Sequence, residues 1–284
     1  MNNYIKGVVF ILLSSLFFTF NATLVKLLVD IPLYEKVFAR NILGVVLVLP
    51  VIIKTKTSIY VKKEFRTTLF FRCLIGLFGL LTYYYALDNM ILSDATMINK
   101  LNPFFVILFS YLFLKEELKG YQVVSIIFAF MGAMLVIKPS LDFTVIPALI
   151  ALLSAVFAGA SYTLIRGLSG KVSPLIIVFY FSLFTSIVTF FLMLVDGVVT
   201  PNSRQLVFLI LMALAATLAQ IIMTFAYKIA EASRISVYNY ASIIFALIIT
   251  YTVFADSPDI YSIFGGVIIV LSGIFNFRKT LNRS

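Results

Sequence analysis

The chain has 284 residues, of which 62% are hydrophobic and 12% charged. A soluble domain carries roughly 45–50% and roughly 25% respectively, so a water-soluble globule is excluded and a lipid-embedded chain is expected. The formal charge of +10 belongs to loops that set membrane topology rather than to a nucleic-acid surface.

Histidine is absent and Cys73 is the single cysteine. The commonest general base and metal ligand is therefore missing, and no intramolecular disulfide can form. No metal or cofactor is expected, and catalysis is disfavoured. None of the glycines sits in a phosphate-binding loop, so ATP is not expected either.

Apolar stretches of spanning length follow one another over about residues 6–28, 33–53, 68–88, 92–114, 119–138, 143–166, 174–195, 205–228, 234–254 and 259–277. They lack period-2 alternation, so they are helices. The first is too long for a signal-peptide core and reads as a retained helix. Ser14 and Asn21 share one of its faces, and Lys26 closes it. The second opens with Glu35 and Lys36 and carries Arg40 inside. Lys36 and Lys26 are placed to snorkel to the interface. The basic loop Lys54 to Arg66 suits anionic headgroups. The third stretch holds Gly76, Gly79 and the run Tyr83 to Tyr85, of which Tyr84 is the candidate to face a cavity. The fourth has Asp94 near its outer start and places Thr96, Asn99 and Pro103 on one side, with Lys100 at helix depth. Ser154 and Ser161 share a face of the sixth. Thr217, Gln220 and Thr224 do so in the eighth. The ninth carries Ser236 and Tyr238–Asn239–Tyr240.

With the N-terminus in the cytoplasm, sixteen of the 22 Lys and Arg residues fall on the inner side, Arg72 among them. Both termini are therefore expected to be cytoplasmic, in a multi-pass protein of the cytoplasmic membrane. The chain also repeats itself at an offset of 140 residues: Ser14, Thr23 and Lys26 fall on Ser154, Thr163 and Arg166, and Asn99 falls on Asn239. The expected fold class is an all-α membrane protein whose ten transmembrane helices form two inverted five-helix repeats, residues 1–139 and 140–284. Units with an odd number of spans, joined in sequence, must face opposite ways. That is a hallmark of secondary transporters with a midplane site between repeats.

Charges at helix depth need water or a partner. Arg40 and Lys100 are expected to face a basic cavity open to the outside that takes a carboxylate, phosphate or sulfonate group. Asn21, Tyr84, Asn99, Ser161, Gln220, Tyr238 and Asn239 complete the expected substrate-binding set. Lys26, Glu35 and Asp94 are candidates for gating or coupling, Glu35 and Asp94 being the carboxylates available if a proton is the coupling ion.

Several local pieces, in order, carry a resemblance: Phe38-Ala39-Arg40-Asn41 after Glu35, Tyr85-Ala86-Leu87 before Leu92-Ser93-Asp94-Ala95-Thr96, Asn102-Pro103-Phe104-Phe105, Phe113-Leu114-Lys115-Glu116-Glu117, and Gly132 before Lys138-Pro139. Over nearly its whole length the chain resembles the drug/metabolite transporter superfamily, of the EamA-like kind. It departs at Ile243, where the family usually has proline, at Ala255-Asp256 in place of Gly-Glu, and in lacking tryptophan from its first helix. The resemblance implies alternating-access transport of a small organic metabolite, with an anionic or zwitterionic cargo favoured by the cations above. An exporter of amphiphilic or cationic compounds, a lipid-moving protein and a membrane-embedded enzyme are the alternatives. The expected partners are a small-molecule substrate and membrane lipids, as a monomer or a homodimer.

Overall fold

The computed structural model describes residues 3–138, 145–230 and 235–281, apart from the side chains of Thr224, Tyr227, Lys228 and Ser236. The expected repeat boundary at 139/140 and the expected polar groups Thr224 and Ser236 thus lie outside the described residues. The helices are α1 (Asn3–Leu27), α2 (Leu33–Lys54), α3 (Lys63–Asn89), α4 (Leu92–Asn99), α5 (Asn102–Leu114), α6 (Gly120–Ile137), α7 (Ile146–Leu168), α8 (Pro174–Asp196), α9 (Ser203–Ile229), α10 (Ala241–Phe254) and α11 (Ile260–Leu281), with a 3-10 turn at Ser236–Tyr240 before α10. Among the described residues, ten segments are long and apolar enough to cross a membrane, α4 and α5 together making the fourth and the 3-10 turn with α10 the ninth.

The two halves pack as an exchangeable pair. α3 packs on α7 and, in the equivalent arrangement, α9 on α1. α2 lies along α9 as α8 lies along α3, and α7 meets α5 as α1 meets α10. The α2–α8 and α6–α11 pairs relate each element to its own repeat mate. Every main interface thus recurs when the halves are exchanged, as the two-repeat architecture requires. The α6–α11 contact is close because glycines face each other in it: a Cβ added at Gly132 would stand 2.7 Å from the Gly265 carbonyl oxygen.

The fourth span breaks at Lys100–Leu101, and the break has a local cause. Pro103 has no N–H, so it cannot donate to the carbonyl of Asn99 four residues back. The Asn102 side-chain amide donates to that carbonyl instead, at 2.8 Å. In the second half there is no proline at Ile243, yet the Ser242 hydroxyl donates to the Asn239 carbonyl at 2.9 Å. Position 242 is the 140-residue mate of 102. Both halves therefore interrupt their fourth span next to the paired asparagines, and discontinuous helices of this kind are where transporters form polar sites inside lipid.

Candidate functional site

A cavity of about 70 Å³ lies where both halves meet, between α2, α3, α8 and α9. α2 contributes Arg40, Asn41, Gly44 and Val48, and α3 contributes Arg72. The second half supplies Val178, Phe181 and Ser182 from α8, and Ala216, Thr217, Gln220 and Ile221 from α9. Gly44 allows the approach, since a Cβ there would stand 3.2 Å from the Ser182 hydroxyl. Arg40 sits seven residues into α2 and is half-buried. Its Nε is buried and without a partner.

Arg72 is the functional candidate that sequence reasoning missed. The charge pattern places it among the cytoplasmic, topology-setting cations, but it is 9% exposed within α3. Its guanidinium carbon stands 4.4 Å from the Phe181 ring centroid, a cation–π contact. Its Nε and Nη1 are buried without partners. Phe181 and Arg72 both crowd the space where a Gly76 Cβ would be, so glycine makes room for the guanidinium. The signal was present in the spacing. Arg72, Gly76 and Gly79 fall at i, i+4 and i+7, one helix face, and small residues mark the face that packs in lipid.

The other expected site residues form separate clusters. Beside the cavity, Asn21 donates to the Met212 carbonyl at 3.0 Å and shares a hydrogen bond of 3.3 Å with the Tyr84 hydroxyl. Tyr84 is 1% exposed and within electrostatic reach of Arg40. Ser161 donates to the Arg72 backbone carbonyl at 3.4 Å, so it supports the helix that carries that cation. Gln220 lines the cavity itself. At the broken helices, Asn99 donates to the Ser154 hydroxyl at 3.0 Å. Its mate Asn239 accepts from Ser15 at 3.5 Å. Each asparagine thus bonds a serine on the first helix of the other half, although the repeat mate of Ser154 is Ser14, which donates instead to the Ala219 carbonyl at 2.8 Å.

Lys100 caps the end of α4 and is not among the described residues lining the Arg40 cavity. No ion pair reaches it among the described residues. Tyr238 is apart as well, its hydroxyl 3.1 Å from that of Tyr4 near the chain's start.

The candidates for gating or coupling lie toward the helix ends. Lys26 donates to the Met90 and Leu87 carbonyls at 2.6 and 3.5 Å and stands 5.7 Å from the Phe254 ring centroid. Glu35 is buried and accepts from the Val199 backbone N–H, fastening the segment between α8 and α9 to the start of α2. Asp94 is 5% exposed; its Oδ2 accepts from Ser262 at 3.1 Å, while its Oδ1 is buried without a partner. Lys36 does not snorkel. It is fully buried and paired with both Asp88 oxygens at 2.7 and 2.8 Å. It shares the i, i+4, i+8 face of α2 with Arg40 and Gly44, which is turned inward.

The profile of the EamA-like transporter family matches residues 5–138 and, a second time, 145–278. The chain is 31% identical to the pseudopaline exporter CntI of Pseudomonas aeruginosa, over 95% of each chain. It is 25% identical to the human solute carrier family 35 member G1, covering 94% of this chain and 78% of that one. It is 24% identical to the S-adenosylmethionine uptake transporter of Rickettsia prowazekii, over 97% and 93%. A crystal structure with 15% identity shares the fold, with a TM-score of 0.66 over 95% of this chain and 96% of that one.

Proposed function

We propose, from the premise that the chain belongs to the EamA-like transporter family and is a multi-pass membrane transporter, that it is a secondary transporter moving a small organic metabolite with an anionic group, as an anion or a zwitterion, across the cytoplasmic membrane by alternating access. The observation that carries this reading is the cavity at the seam of the two halves, lined by Arg40 with no acidic side chain among the described residues. A cation drawn partly out of water without a counter-charge is costly, and an anionic cargo removes that cost. The same charge disfavours a cationic cargo.

Alternating access draws support from two features. A cavity of about 70 Å³ is well below the roughly 300–1,000 Å³ of a metabolite pocket, so loading requires the halves to move apart. The two ends of the molecule are also built alike and bonded differently. At one, Arg166 pairs with Glu116 at 2.9 Å. The repeat mates of that pair are Lys26 and Asp256, and there Lys26 holds the Met90 carbonyl at 2.6 Å instead, with no ion pair to Asp256. Lys115 and Ala255, just before the two acids, share the left-handed backbone conformation, with φ of 55° and 49°. We read this as a latch closed at one end and released at the other.

A proton is the coupling ion we favour, with Asp94 as its carrier, because one of its carboxylate oxygens is buried and unbonded. The two repeats joined near 139/140, with both termini cytoplasmic, complete the reading. The relatives' names include both an exporter and an uptake transporter, so direction is left to the assay. Proteoliposomes loaded with unlabelled organic anion should accumulate the labelled anion by saturable counterflow, and Arg40→Ala should abolish it. Counterflow of organic cations alone would refute the anionic assignment.

A further inference from the structure

We propose that Arg40 and Arg72 together form a two-guanidinium clamp that selects a doubly charged anion, a dicarboxylate or a phosphate monoester, over singly charged ones. This rests on the transport reading above and narrows its cargo. The two side chains come from neighbouring helices and line one cavity. They are close enough to act on each other electrostatically. Neither makes an ion pair among the described residues. Three of their N–H-bearing nitrogens, Arg40 Nε and Arg72 Nε and Nη1, are buried without any hydrogen-bond partner.

Charge balance decides the class. Two guanidinium groups stay protonated at any physiological pH, and no carboxylate from the described residues lines the cavity with them. Water can solvate them without neutralising either. One monoanion leaves a buried cation beside another of the same sign, whereas a dianion balances both. Guanidinium also presents a planar fork of donors that fits carboxylate and phosphate oxygens two at a time, and three such donors are idle here. The Phe181 ring fixes Arg72 from one side and leaves the donor edge free to turn to a ligand. The neutral polar groups of Gln220 and Thr217 complete the wall without adding charge.

The test uses the full chain purified in detergent at neutral pH, with matched probes differing by one charge. These are succinate against its monoamide succinamate, and glycerol phosphate against its singly charged methyl diester, with putrescine as the cationic control. Binding is read by calorimetry and by the ligand-induced rise in melting temperature. Succinate should bind at least about tenfold more tightly than succinamate, by roughly the 1.4 kcal/mol that a factor of ten represents. Arg72→Gln should bring that ratio to about three or less. A merely structural role for Arg72 would change stability and leave the ratio alone. Gly76→Ala keeps both charges but takes the guanidinium's space, so it should lower the ratio too and serves if Arg72→Gln folds poorly. Equal binding of succinate and succinamate, or an unchanged ratio in a folded Arg72→Gln or Gly76→Ala protein, overturns the clamp. Counterflow separates the two readings. If a monoanion exchanges saturably while the ratio is one, transport stands and the clamp falls. If succinate binds tightly and selectively but nothing in the panel exchanges, the clamp stands and the transport reading falls.

Discussion

Lys36 and Asp88 offer the sharpest test of how charge is held inside this bundle. The Lys36 side chain has no solvent exposure, and its Nζ donates to Asp88 Oδ1 and Oδ2 at 2.7 and 2.8 Å and to the Val25 carbonyl at 3.2 Å. Asp88 is 21% exposed. The two single substitutions are therefore not equivalent. Asp88→Ala strands a fully buried ammonium with one carbonyl for a partner, and breaking a buried pair in that way costs about 3–5 kcal/mol. Lys36→Met strands a carboxylate that water can reach, which should cost about 1–3 kcal/mol. The double variant Lys36→Met/Asp88→Leu removes both charges and should return to within about 1 kcal/mol of the parent, because an apolar replacement of a buried pair is often neutral. The expected coupling, the sum of the two single losses less the small loss of the double variant, is thus roughly 3–8 kcal/mol. With no tryptophan in the chain, unfolding is best followed by far-ultraviolet circular dichroism during SDS titration in mixed micelles. Effects that add to within about 0.5 kcal/mol would mean that the residues act independently. Lys36→Met proving more harmful than Asp88→Ala would mean that the burial asymmetry is irrelevant. Either result refutes the reasoning.

Outside the spans, Lys138 pairs with Asp259 at 2.6 Å. The Lys138 hydrogen bond, with help from the Ser262 backbone N–H, holds the Asp259 carboxyl below its ordinary value of 3.8. A lowered folded value stabilises above the unfolded range and is lost as pH falls below about 4. Both side chains are about half exposed, so the effect should be at most about 0.5 kcal/mol, and Asp259→Asn should flatten the acid limb of a melting-temperature profile without changing its neutral region much. Gly132→Ala should cost about 1–3 kcal/mol, because its new Cβ meets the Gly265 backbone and Ile268 rather than a yielding side-chain tip; a neutral result in thermal melts would show that α6 and α11 can slide apart freely. Asn102→Ala should cost about 1–2 kcal/mol and more than Ser242→Ala, because Pro103 cannot supply the donor that Asn99 loses; equal losses in the same melts would contradict that account of the break. Glu116→Gln removes the Arg166 ion pair and should raise the thiol-reagent labelling of a cysteine introduced at that end in a Cys73→Ser background, while Asp256→Asn should leave labelling there unchanged. Equal labelling in both variants would dismiss the latch.

The fold was legible because lipid leaves few options. Spanning lengths follow from apolar runs, and the 140-residue offset pairs the helices whose interfaces recur on exchange of the halves. The expected third span began near residue 68, whereas α3 begins at Lys63. That difference set Arg72 at an interface in the sequence reading and inside the bundle in the structure. Charge alone cannot separate a topology-setting cation from a site cation near a helix end. The face it shares can, and for both Arg72 and Lys36 that face carries glycine at i+4 or i+8. The expected basic pair of Arg40 and Lys100 came from depth along the helix without regard to face, and the cation that joins Arg40 is Arg72. The loss of proline at Ile243 teaches the same lesson about the break. Ser242 supplies in the second half the carbonyl cap that Asn102 supplies in the first. What both halves share is a side-chain donor, three residues on, for the carbonyl of the paired asparagine. A repeat is therefore better traced through the hydrogen bonds its positions must make than through the residue types that make them.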